Sequence, residues 1–221
     1  MMWGRRRGAA TDQRRLVWQS ASLLLAYPDA AQAVRLDTVE ALCARLPEQR
    51  AEPLRATVAH LRRTTVTESA RHYVDIFDLQ RRTTLLLTYW TDGDTRNRGT
   101  AMLAFARAYR AAGATPPSGE APDHLAVVLE FAATVDPEAG GRLLAAHRHA
   151  IDAVHTALTD RESPYAAVLG AVAATLPAAT DQDARRARAL VLTGPPAEQV
   201  GLQPFTLTVP PRRSAAHQGG G

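Results

Sequence analysis

The feature that most constrains this chain is the spacing of its apolar residues, which recurs at three and four positions between about residues 11 and 193. Ala70, Tyr73, Val74 and Phe77 fall at i, i+3, i+4 and i+7, and so do Leu125, Val128, Leu129 and Ala132. A longer stripe joins Leu144, His147, Ile151, Val154 and Leu158, and another joins Met102, Phe105, Ala106 and Tyr109. An α-helix turns once per 3.6 residues, so each set lies on one helical face. A half-buried strand would alternate apolar and polar residues instead.

Breakers divide these stripes into helices. The first is expected from about Thr11 to Tyr27, stopped by Pro28. Asp29 can cap a second that ends near Pro47, and Pro53 suits the first turn of a third. Residues 67–77 form a fourth. A long helix from about Thr95 ends at Gly113, and others start near Pro122, near Pro137, at the Ser163 cap and at residue 181. LLLTYW (85–90) fits a short strand or a helix by local pattern. With no second strand nearby to pair with it, it is expected to be a connector with helical character. The fold class is therefore all-α, a single-domain bundle of eight or nine helices over 11–193. Residues 1–10 are expected to be a disordered basic tail, and 194–221 a flexible Pro/Gly-rich tail.

Charge and cysteine content narrow the function. All 26 basic residues are arginine. Residues 1–15 hold five Arg and one Asp, Arg212 and Arg213 add two charges, and the remaining 19 Arg face 21 acids. The basicity sits in the tails, so no nucleic-acid-binding face is expected on the fold. Cys43, the single cysteine, lies in a helical pattern and is expected in the core. It permits no internal disulfide and no cysteine metal cluster, and suits a reducing compartment. No run of 18 apolar residues exists, so no membrane insertion is expected. Arg14-Arg15 ahead of LVWQSASLLLAYP looks like a twin-arginine export signal. Gln19, Ser20 and Ser22 interrupt its apolar run, and Leu16, Ser20, Leu23 and Tyr27 instead follow a helical face.

The most irregular segment is TYWTDGDTRNRG, 88–99. As a calcium loop starting at Asp92 it has Arg at position 5, Asn at position 6 and Leu at position 12, which is not the required ligand set. As a helix start it has a turn glycine, Gly93, and a cap, Asp94. Arg96 and Arg98 in a first helical turn oppose the macrodipole. They are expected to pair with Asp92, Asp94 or Asp78, or to face an anionic partner. His147, His149 and His155 lack the i, i+4 spacing of paired metal ligands, so no metal site is expected. Asp123 and His124 follow Pro122 as a helix cap and first-turn residue, or as an acid/base pair. No nucleophile or phosphate-loop motif accompanies them, so no catalytic residue and no cofactor are expected. An enzyme that used His124 and the Asp92/Asp94 loop with a metal or nucleotide is the competing reading. A helical domain of this kind suits a peptide-binding groove.

The order FDL, RR, LTYW, GDTR-x-RG and PDHL across residues 73–133 resembles the nitrate reductase delta-subunit (NarJ) chaperones, within the TorD/DmsD-like redox-enzyme maturation proteins. The resemblance extends over roughly 14–193. It implies a TorD-like all-helical fold and a cytoplasmic chaperone rather than an enzyme. The implied partner is the apoprotein of the nitrate reductase catalytic (alpha) subunit, bound through its N-terminal segment before molybdenum cofactor insertion and membrane attachment. A client of the dimethyl sulfoxide or trimethylamine oxide reductase type is the alternative. Carried onto this sequence, the resemblance assigns Leu87, Tyr89, Trp90, Asp94, Asp123 and His124 to the peptide groove, supported by Asp92, Arg96 and Arg98. Leu86 stands where it implies an aromatic, and Ala126 where it implies proline.

Overall fold

A computed structural model describes residues 2–93, 96–115 and 119–196, with side chains from Ala10 onward apart from Arg96. The elements are α1 (Met2–Leu24), α2 (Gln32–Cys43), α3 (Glu48–Arg62) and α4 (Val66–Tyr73), which runs into a π-helical turn, Val74–Asp78. They continue as α5 (Tyr89–Asp92), α6 (Arg96–Ala111), α7 (Leu125–Thr134), α8 (Pro137–Ala146), α9 (Arg148–Thr159), α10 (Ala166–Ala173) and α11 (Asp181–Thr193). No strand occurs among the described residues, and the fold is an all-α bundle.

α7 lies at the centre because its sequence, LAVVLEFAAT, is apolar nearly all round. Leu125, Ala126, Val128, Leu129, Phe131, Ala132 and Ala133 are all buried. It packs against α1 on one side and α8 on the other, while α1 also meets α2, α3 and α10. α9 holds α10 and α11. Several polar tips in this core find partners. The Trp18 indole N–H donates to Thr175 Oγ1 at 2.8 Å, and the Tyr73 hydroxyl donates to the Leu25 carbonyl at 3.0 Å. Arg15 Nε donates to the Ala133 carbonyl at 2.7 Å, so the residues that look like an export signal are built into the α1–α7 contact.

Four local expectations are corrected. α1 is helical from Met2 rather than from Thr11, because Arg and Ala sustain a helix without an apolar stripe. α3 starts at Glu48, which puts Pro53 inside the helix, where the loss of one amide donor is absorbed. The stripe over 137–158 belongs to two helices. His147 (φ −106°, ψ 20°) ends α8 and begins α9, and its ring Nδ1 lies 2.9 Å from the Leu143 carbonyl. Finally, LLLTYW does have a pairing partner. Leu86 and His124 form an isolated antiparallel bridge, and only Tyr89–Asp92 is helical. The division of the 137–158 stripe and the single turn of α5 raise the expected count to the eleven α-helical segments described.

Candidate functional site

The bridge joins the irregular segment to the turn before α7. The Leu87 N–H donates to the Asp123 carbonyl at 3.1 Å, and the Leu125 N–H donates to the Leu85 carbonyl at 2.8 Å. Asp123 is fully buried. Its carboxylate does not cap α7. Oδ2 accepts the Thr88 N–H at 3.1 Å and the Thr88 hydroxyl at 2.5 Å, and Oδ1 lies 3.8 Å from Arg98 Nη2. Arg98 Nε also donates to Thr88 Oγ1 at 3.4 Å. Arg98 is therefore the ion-pair partner of Asp123, at a distance that leaves Oδ1 without a hydrogen bond. Charge-assisted bonds of this kind are among the stronger ones, and they hold two loops 35 residues apart.

The same fold decides where each predicted groove residue points. Leu87 and Trp90 are 1% exposed, and the Trp90 indole N–H donates to the Thr84 carbonyl at 3.1 Å. Both are core residues supporting the loop, which corrects their expected place on the peptide surface. The pairing turns alternate side chains inward, and the single turn of α5 then returns Trp90 to the core. Tyr89 stays half-buried. Its hydroxyl accepts from Arg81 Nε at 2.9 Å, and the Arg81 and Arg98 guanidinium carbons each lie 5.8 Å from its ring centre. Asp92 Oδ2 accepts the Thr91 hydroxyl at 2.6 Å. Asp94 and the Arg96 side chain lie outside the described residues.

His124 points the other way from Asp123. It is the N-cap of α7 in extended conformation, makes no side-chain cap bond, and is mostly buried rather than exposed. It lines a cavity of about 420 Å3 between the end of α1, the π turn and α7. Asp78, Glu120 and Glu130 supply carboxylates to this groove, and Tyr27 and Tyr73 supply aromatic surface. Tyr27, 51% exposed, meets Tyr73 edge-on with ring centres 5.5 Å apart. Burial lowers the His124 pKa, and the Glu120, Asp123 and Asp78 carboxylates oppose that shift in part. Burial, then Asp78, Tyr165 and Glu120, push the Tyr73 phenol well above its usual range. The groove thus pairs a neutral imidazole with acidic rims and aromatic walls, which suits a segment carrying both apolar and basic side chains.

Asp78, Glu120, Glu130, Tyr27 and Tyr73 were not assigned to this groove from sequence. Asp78 is the aspartate of FDL, and the π turn gives it its direction; the others come together only through tertiary packing. The three histidines disperse. The His147 ring lies tilted against Phe105 with ring centres 5.0 Å apart, His149 is 8% exposed, and His155 lies against Gly170. Among the described residues no group of three or more His, Cys, Asp or Glu is placed to hold a metal ion, and no helix is long and apolar enough to cross a membrane.

Comparison with known proteins places the chain in a family. The family model described as nitrate reductase delta subunit matches residues 43–170, more than half of the chain. Nitrate reductase-like protein NarX of Mycobacterium tuberculosis strain H37Rv is 54% identical over 160 residues, 72% of this chain. The chain spans only 24% of that relative's length. The probable nitrate reductase molybdenum cofactor assembly chaperone NarJ of Bacillus subtilis is 29% identical over 75% of this chain and 91% of its own. The nitrate reductase molybdenum cofactor assembly chaperone NarJ of Escherichia coli K12 is 31% identical over 73% of this chain and 70% of its own. The matched span contains the FDL, LTYW and PDHL motifs that build the bridge and the groove, and this chain belongs to the nitrate reductase delta-subunit family.

Proposed function

We propose that this protein is a maturation chaperone and not an enzyme. In the cytoplasm it would bind the N-terminal segment of a nitrate reductase catalytic subunit, and keep that apoprotein open for molybdenum cofactor insertion before membrane attachment. The observation that carries the reading is the groove beside His124. It joins Tyr27 and Tyr73 to three carboxylates, and Asp78 of FDL and His124 of PDHL both line it. An amphipathic basic segment would set apolar side chains on the tyrosines and cations near Asp78, Glu120 and Glu130. Asp123, Thr88 and Arg98 act behind the groove by fixing the turn that presents His124.

The test is co-purification from cells respiring nitrate, followed by calorimetry with the N-terminal peptide of the large subunit recovered. A large molybdoenzyme subunit is expected to accompany the protein, and its peptide to bind with one-to-one stoichiometry. Recovery of no such subunit, or a peptide that binds equally well when Tyr27 and Glu120 are both replaced by Ala, would overturn the proposal.

A further inference from the structure

A second cavity lies away from the groove, between α1, α3 and α10, and shares no lining residue with it. Its volume is about 260 Å3. Val17 and Pro53 form one side, and the short side chains of Ala171 and Ala174 leave the space open on the other. One charged residue, Arg50, joins this wall. Its Nη1 is screened from solvent and has no hydrogen-bond partner, although Arg50 as a whole is only partly buried. Two acids lie equally near in sequence, Glu48 and Glu52; Glu48 is engaged by Arg55 at 2.7 Å, and Glu52 forms no ion pair with Arg50 among the described residues. Arg50 sits in the first turn of α3, whose N-cap Pro47 provides no side-chain cap, so the helix dipole adds partial positive charge there.

An apolar cavity with one unpaired guanidinium at its wall states a ligand class. We infer that this cavity binds a small amphipathic carboxylate, with its alkyl or aryl body against Val17, Pro53 and Ala171 and its carboxylate on Arg50. The volume suits such a body, since a dry apolar cavity of roughly 150 Å3 already admits a benzene ring. A planar guanidinium matches a singly charged carboxylate through two parallel N–H···O bonds. A phosphate ester, with a second charge, would leave that charge without a cation, because Arg50 is the only charged residue lining the cavity.

Octanoate is a suitable probe, used below its micelle concentration, with 1-octanol as the uncharged control. Calorimetry on the full chain is expected to show octanoate binding at least about tenfold tighter than octanol, the factor that one charge-assisted bidentate contact provides. Arg50→Met keeps the apolar stem and is expected to remove that difference while preserving octanol binding. Ala171→Leu fills the cavity and is expected to abolish both. If Ala171→Leu does not fold, nuclear Overhauser contacts from the octanoate chain to the Val17 methyl groups of the unmodified protein locate the ligand instead. Octanoate that binds no tighter than octanol, an affinity unchanged by Arg50→Met, or an absence of Val17 contacts would each overturn the inference. None of these results depends on client binding at the groove.

Discussion

The Asp123 carboxylate and Thr88 form a double hydrogen bond, at 3.1 Å to the amide and 2.5 Å to the hydroxyl, wholly inside the protein. Removing the carboxylate strands both Thr88 donors and leaves Arg98 facing an apolar gap. Asp123→Ala is therefore expected to cost about 3–5 kcal/mol, the scale for breaking a buried charged pair from one side. Thr88→Val removes only the hydroxyl and is expected to cost about 1–3 kcal/mol. Urea unfolding measures both. Equal and small losses would show that the bridge does not hold the loop.

Gly140 and Gly99 are both helical glycines, yet they predict opposite signs. A Cβ on Gly140 would lie 2.4 Å from Ala132 Cβ and 2.5 Å from its Cα, where α8 crosses α7. Backbone cannot yield there, so Gly140→Ala is expected to destabilise by about 1–3 kcal/mol through overpacking. A Cβ on Gly99, in α6, meets nothing within 4 Å. Gly99→Ala is expected to stabilise by about 0.5–1 kcal/mol through helix propensity. Melting temperatures that move in the same direction for both would refute the close α7–α8 approach.

The helices were legible because each buries a face with its own period. α7 and α9 follow their predicted stripes. The division at His147 was not legible, because Leu144, His147 and Ile151 keep helical spacing on both sides of it; it lies in the backbone angles of one residue. The Leu86–His124 bridge pairs segments far apart in sequence, and no local pattern reports such a partner. The sequence singles out the PDH turn, but it does not report that its two side chains diverge. Asp123 resembles a helix cap and instead serves Thr88, whereas His124, the next residue, lines the groove.

Tyr89 and Trp90 look alike in sequence and differ in burial, which separates stability from binding. Trp90→Ala empties a core site and is expected to cost about 3–5 kcal/mol. Tyr89→Ala loses a half-exposed ring between two arginines and is expected to change stability by no more than about 1 kcal/mol. Denaturation of the two variants decides this. Comparable losses would mean that the tyrosine is as structural as the tryptophan.

Under the proposed function, the acidic rim is expected to make client binding depend on salt. Glu120→Gln and Glu130→Gln are each expected to weaken a basic client peptide by roughly twofold to fivefold at low ionic strength, the range for partly exposed pairs. The difference between variant and parent is expected to shrink as salt rises, because exposed charges are screened over about 10 Å at 0.1 M. Calorimetry at two ionic strengths checks both effects. Affinity that rises with salt in the parent would point to a groove driven by apolar contact alone.

His124 is expected to link pH to stability and, under the proposed function, to binding. Its folded pKa is held below the ordinary 6.5 mainly by burial, and His60, His147 and His149 are lowered for the same leading reason. Above 6.5 these rings are neutral in both states and cost nothing. As pH falls below 6.5 the unfolded chain takes up protons first, so stability is expected to decline with acidity and to level off only below the folded values. His124→Gln removes one contributor and is expected to reduce that slope. In the groove, protonation sets a cation beside Asp78 and Glu120 and lowers the attraction for a basic segment, so client affinity is expected to fall as the pH drops below 6.5. The same variant separates the two effects. Its affinity is expected to vary less with pH than the parent's, and an equal dependence in both proteins would remove His124 from the binding surface.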